Sequence, residues 1–137
     1  MQVSTKLIGT TQKGTIVGGA ARKKKRGDDR SSGCAVEATL GVLGGRWKGV
    51  VLFFLLKGKR RFGELRRQLP NCTQRMLTLQ LRELEEDGLV KRTVFAEVPP
   101  RVEYELTPFG KSAEPMLLEM REWGEKYKKR LERRAED

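Results

Sequence analysis

The stretch RFGELRRQLPNCTQRMLTLQLRELEEDG, residues 61–88, holds two helical patterns with a short break between them. In the first, Phe62, Leu65 and Leu69 share one side, and Pro70 ends it because the residue before a proline is pushed out of the helical region. Thr73 then offers a hydroxyl to an unpaired amide at the start of the second helix, and Asp87-Gly88 ends that helix. Wound at 100° per residue, Leu77, Leu81 and Leu84 fall within about 60° of one another. They form a buried stripe. Leu79 lands roughly 160° from the centre of that stripe, on the face carrying Arg75, Thr78 and Arg82. Two helices joined by three or four residues make a helix-turn-helix, in which the first helix braces the second.

Working outward toward the C-terminus, LVKRTVFAEV and RVEYELT alternate as strands do, with Val94, Ala96 and Val98 on one and Val102, Tyr104 and Leu106 on the other. Pro99-Pro100 donates no ladder hydrogen bond, so the hairpin is expected to open there into a protruding loop. Thr107-Pro108 reads as a cap with proline at the first helical position. A last helical region runs on to the charged end, with a kink expected at Pro115. Along it Met116, Met120, Trp123 and Tyr127 recur at spacings of four, three and four.

Toward the N-terminus, AVEATLGVLGG gives a short helix with Val36, Leu40 and Leu43 on one side, stopped by Gly44-Gly45. RWKGVVLFFLLKG gives a second, in which Trp47, Val50, Val51, Phe54 and Leu55 repeat at helical spacing. It is apolar nearly all round, the mark of a helix at the centre of a core.

The 137 residues have room for one modest core, and 37% are hydrophobic. With 29 Lys and Arg against 18 Asp and Glu, the formal net charge is +11. That excess favours an anionic partner, nucleic acid before a membrane surface. GVVLFFLL, the most apolar run, is far short of the ~20 residues that span a bilayer, and the first thirty residues lack the apolar core of a secretion signal. A cytoplasmic protein is the default, and Cys34 and Cys72 are then expected as thiols. The chain has no histidine, which removes the commonest general base and metal ligand. No glycine-rich phosphate loop appears, and Glu64, Glu83, Glu85 and Glu86 read as solvated ion pairs with neighbouring arginines. No enzyme activity, metal or cofactor is expected.

Residues 1–33 lack periodicity and include RKKKRGDDR. They carry eight Lys or Arg and two Asp, which is +6 of the total and leaves +5 on the rest. This reads as a disordered basic tail, either a solvated extension or a nonspecific electrostatic arm.

CxVEATL from Cys34, GGRWK, RFGEL, RMLTLQLRELEEDGLVKR and EVPPRVEYELTPFG occur in that order. Together they closely resemble the HxlR-type family of bacterial winged helix-turn-helix transcriptional regulators, over residues from about 34 to 124. The resemblance implies a homodimeric DNA-binding regulator with dimer contacts from the first helix, at Val36 and Leu40, and from the last. Two positions depart from the family pattern: Ala35 stands where proline is common, and Cys72 where an aliphatic residue is usual. Some relatives with a cysteine at the position of Cys34 respond to electrophiles or oxidants, so Cys34 is a candidate thiol sensor and an oxidant or small-molecule effector a candidate partner. Its place just before a helix start favours thiolate.

The fold expected is mainly α with a small β-hairpin: a winged helix-turn-helix over residues 34–132, with an N-terminal helix, a C-terminal dimerisation helix and a charged end at 133–137. A helix of ~10–12 Å diameter enters a major groove about 12 Å wide. With the leucine stripe fixed to the core, Gln74, Arg75, Thr78, Leu79 and Arg82 are left to read bases. Lys59, Arg60, Arg61, Arg66, Arg67, Thr73 and Arg101 are the candidates for the DNA backbone. Met116, Met120, Trp123 and Tyr127 make a second apolar stripe that a second copy of the chain would cover. The competing reading is an architectural protein that uses its charge without sequence choice.

Overall fold

The computed structural model describes residues 33–137, so the expected basic tail lies, but for Gly33, outside the described residues. The elements run α1 (Ala35–Leu43), α2 (Lys48–Leu55), β1 (Arg60–Arg61), α3 (Phe62–Gln68), α4 (Gln74–Glu86), β2 (Val90–Phe95), β3 (Arg101–Leu106), α5 (Pro108–Lys111) and α6 (Glu114–Glu136). The helix-turn-helix is α3 and α4, and the wing is β2 and β3.

Local chemistry sets the boundaries. Arg61 N–H donates to Glu64 Oε1 at 2.7 Å, closing the first turn of α3. Thr73 Oγ1 accepts from Met76 N–H at 3.0 Å at the start of α4. Beyond Asp87 the chain turns through Gly88 at φ +82°, a left-handed conformation that suits glycine. Thr107 caps α5 by accepting from Gly110 N–H at 2.9 Å, and its hydroxyl donates to the Gly88 carbonyl at 2.6 Å. The start of α5 is thereby tied to the end of α4.

One apolar core joins these elements. It takes Val51, Leu52 and Leu55 from α2, Leu65 from α3, Leu69 and Cys72 from the turn, Leu77, Leu81 and Leu84 from α4, Leu89 and Val90, Tyr104 and Leu106 from the wing, and Leu43 and Leu117 from the flanking helices. The three leucines of α4 are all but completely buried, as their spacing predicts.

Four expectations need correcting. The sheet has three antiparallel strands in the order β1-β3-β2, because Arg60 and Arg61 pair with Tyr104 and Glu103. The first wing strand ends at Phe95, so Ala96 and Val98 lie beyond the ladder and are exposed; the faces alternate instead through Val90, Arg92 and Val94, opposite Leu106, Tyr104 and Val102. In α2 the buried positions are Lys48, Val51, Leu52 and Leu55, whereas Val50 is exposed and Trp47 and Phe54 are half-buried. A helix apolar on every side gives little information about its rotation. Finally, Pro115 does not kink a continuous helix: α5 ends at Lys111, and Pro115 sits in the first turn of a separate α6, where its missing N–H costs no helical bond.

Candidate nucleic-acid interface

The face of α4 opposite its leucine stripe is open. Gln74, Arg75, Thr78, Leu79 and Arg82 are all exposed, Leu79 to 41%. Thr78 Oγ1 donates back to the Gln74 carbonyl at 2.9 Å, which commits its proton and leaves the oxygen as an acceptor only. Gln74 Oε1 accepts from Arg66 Nη1 at 3.3 Å, so a candidate base reader and a candidate backbone contact are linked across the turn.

The candidate backbone cations divide into two sets. Arg61, Arg66 and Arg67 are exposed around α3, and Arg60 is half-buried. Thr73 is committed as a cap acceptor but keeps its hydroxyl proton. At the wing, Arg101 is held on several sides: Nη2 lies 3.2 Å from Glu97 Oε2, Nε 3.4 Å from Glu103 Oε2, and the guanidinium stacks 4.0 Å over the Phe95 ring. Lys59 Nζ lies 3.8 Å from Glu103 Oε1.

Two features behind this face escaped the sequence reading. Lys48 is buried and its Nζ lies 2.7 Å from Glu83 Oε1, so Glu83, expected as a solvated ion pair with an arginine, meets a buried lysine. The apolar surroundings of Lys48 in GRWKGVV were the available signal. Glu85, half-buried where α4 meets the wing, has its carboxyl pushed up by that burial, against the opposing effect of Arg92.

Away from the helix-turn-helix in sequence, Val36 and Leu40 of α1 are exposed, as are Met120, Trp123 and Tyr127 of α6, while Met116 packs partly against the core. Trp123 and Tyr127 stack with centroids 5.6 Å apart and planes 9° from parallel. An apolar groove of about 310 Å³ lies between α1, α2 and α6, floored by Leu43, Phe53 and Leu117. Cys34, exposed at the start of α1, has its thiol held below the ordinary value by the backbone amides of Glu37 and then Val36 at the helix start, without a formed cap hydrogen bond. Cys72 is buried under α4, and burial pushes its thiol up. Among the described residues no group of three His, Cys, Asp or Glu could hold a metal ion, and no single helix is long and apolar enough to cross a membrane.

A braced helix with an open polar face, flanked by cations and a β-hairpin, defines a winged helix-turn-helix protein of the DNA-binding class. The HxlR-like helix-turn-helix family model matches residues 42–132, and the chain belongs to that family of transcriptional regulators, which are not enzymes. It is 54% identical over 125 residues to the HTH-type transcriptional regulator YdeP of Bacillus subtilis (strain 168), covering 85% of this chain and 98% of YdeP. Among solved structures it is similar to the redox regulator HypR. The match to reduced HypR has TM-score 0.69 and 56% identity over 72% of this chain and 98% of HypR; the match to oxidised HypR has TM-score 0.65 and 59% identity over 68% and 96%. The reduced transcriptional regulator YodB from B. subtilis matches with TM-score 0.61 and 34% identity, over 70% of this chain and 95% of YodB.

Proposed function

We propose that the protein is a sequence-specific regulator that binds a palindromic operator as a homodimer, with α4 in the major groove and the wing on the flanking backbone. The observation that carries this reading is the division of α4 into a fully buried leucine stripe and an opposite face of exposed Gln74, Arg75, Thr78, Leu79 and Arg82. Arginine suits guanine and glutamine suits adenine, while Lys59, Arg60, Arg61, Arg66, Arg67, Thr73 and Arg101 supply phosphate contacts that fix register.

Dimerisation is supported by α6. Its 23 residues extend about 34 Å, yet Leu117 is its one buried position, and every residue from Glu125 onward is exposed. A helix that packs so little on its own chain gains stability from a second one. Met120, Trp123 and Tyr127, with Val36 and Leu40 across the groove, supply the apolar surface, and Met116 continues the stripe into the core. A two-fold axis would then set the reading helices roughly 34 Å apart, one turn of duplex. Cys34 modulates binding as a thiol sensor in this reading, its lowered pKa and exposure favouring attack on an oxidant or electrophile, and the naming of HypR as a redox regulator supports it. The setting is the cytoplasm.

Selection of bound fragments from genomic DNA, followed by footprinting, tests the reading. A discrete palindrome is expected; uniform protection and equal affinity for unrelated duplexes would establish the architectural alternative instead.

A further inference from the structure

We propose that Glu103 is a resident counterion of the wing, occupying Lys59 and Arg101 in place of DNA phosphate and so setting how strongly the wing holds the DNA backbone. The inference rests on the reading that these two cations meet phosphate.

Glu103 lies on the central strand of the sheet, opposite Arg61 on one side and Thr93 on the other. Its two carboxylate oxygens face different cations by charge contact and not by a hydrogen bond: Oε1 is 3.8 Å from Lys59 Nζ and Oε2 is 3.4 Å from Arg101 Nε, which makes no hydrogen bond. A second carboxylate, Glu97, takes Arg101 Nη2 at 3.2 Å, and Phe95 covers one face of the guanidinium. Lys59 and Arg101 are therefore each faced by a carboxylate, Arg101 by two. The side chain of Glu103 is 19% exposed against 45% for Glu97, so its pairing is the less screened by water and salt. A phosphate approaching Arg101 or Lys59 meets Glu103 as a like charge at the same donors. Binding then exchanges one anion for another at the wing, and the gain in affinity is smaller than for a free cation. Around α3, Arg66 and Arg67 have no such pairing to a carboxylate within 4.0 Å among the interactions described, so the backbone grip is set unequally between the two flanks of α4.

The test measures the affinity of the full chain for a labelled duplex of random sequence between about 50 and 200 mM salt. Glu103→Gln keeps the shape and removes the charge; Glu103→Thr is a second, strand-compatible replacement should the amide disturb the sheet. Both are expected to bind several-fold tighter than the parent at low salt, with a slope of log affinity against log salt steeper by about 0.9 per protomer, the value for one more neutralised phosphate. Unchanged or weaker binding by both, with melting temperatures near that of the parent, overturns the proposal and makes Glu103 a residue that merely positions Arg101. Arg101→Gln and Lys59→Gln separate the two levels. If neither weakens binding, the wing does not meet phosphate and the underlying reading fails. If they weaken it while the Glu103 variants bind no tighter, the counterion proposal alone fails.

Discussion

Lys48 Nζ stands 2.7 Å from Glu83 Oε1, an ion pair that runs from the central helix α2 to the last turn of α4. Lys48 is the one buried charged residue among those described, at 6% exposure. The pair sits next to Arg82 in sequence and next to Leu84 on the buried side, so it ties α4 to α2 at the point where the open face of α4 ends. A buried pair of this kind contributes little net stability over an apolar pair of the same shape, but it discriminates between one helix rotation and another.

Lys48→Met should therefore cost about 1–3 kcal/mol in urea unfolding, below the full range for breaking a buried pair because the Glu83 side chain keeps 20% exposure. The double variant Lys48→Met with Glu83→Leu should recover most of that loss. If α4 is no longer held in rotation, the double variant will discriminate less well between operator and random duplex despite its restored stability. A double variant that is stable and fully discriminating would reduce the pair to packing.

Leu79 is exposed at 41% on the open face of α4, opposite the stripe its spacing excludes it from. Leu79→Ala should leave stability within about 0.5 kcal/mol of the parent, since no cavity is created. Its methyls can meet a thymine C5-methyl, so the variant should lose discrimination between thymine and uracil at one operator position. The measurement is binding to operators with single thymine-to-uracil replacements.

These two residues also mark how far the sequence was legible. Leu79 could be placed because α4 has a polar face and an apolar one, and a single period then fixes every side chain on it. Lys48 could not, because α2 is apolar all round and its rotation depends on what packs against it. The same division holds at the wing. The proline pair located the loop, but Arg60-Arg61 is too short to carry an alternation, so its pairing with β3 arises from tertiary contact alone. Arg101 could be read as a wing cation; its capture by Glu97, Glu103 and Phe95 depends on cross-strand register, which is set by the whole hairpin.

Gly110 faces the backbone of Leu89 so closely that an added Cβ would collide with the Leu89 carbonyl. That carbonyl also accepts from Thr107 N–H at 3.0 Å, so it is not free to withdraw. Gly110→Ala should destabilise the fold by about 1–3 kcal/mol through this overlap, read as a lowered midpoint in urea with an unchanged slope. Gly63→Ala is the control: its Cβ would meet only the end of the Arg67 side chain, at 3.7 Å, and stability should change little.

Trp123 and Tyr127 are stacked on each other yet exposed at 65% and 46%. Trp123→Ala with Tyr127→Ala should shift the protein toward monomer in sedimentation at micromolar concentration, with the urea midpoint of the monomer unaffected because neither ring fills the core. Binding to a full palindrome should weaken strongly, and binding to a half-site hardly at all. A monomeric parent with undiminished operator binding would remove the dimer from the reading.

Cys34 and Cys72 should separate by pH. The backbone of Glu37 and Val36 at the start of α1 lowers the Cys34 pKa, so the thiolate persists at a lower pH than in a free cysteine. Alkylation of the native protein by iodoacetamide should rise through a lower midpoint than that of the same thiol after unfolding in urea. By linkage, the stability that these amides lend to the thiolate is present above the unfolded pKa and fades as the pH falls through the folded one. Cys72, buried with its pKa raised, should react slowly throughout. In Cys34→Ser the fast phase should therefore vanish, and with it any change of operator affinity on treatment with diamide. A diamide response that survives in Cys34→Ser would transfer the sensing role away from Cys34.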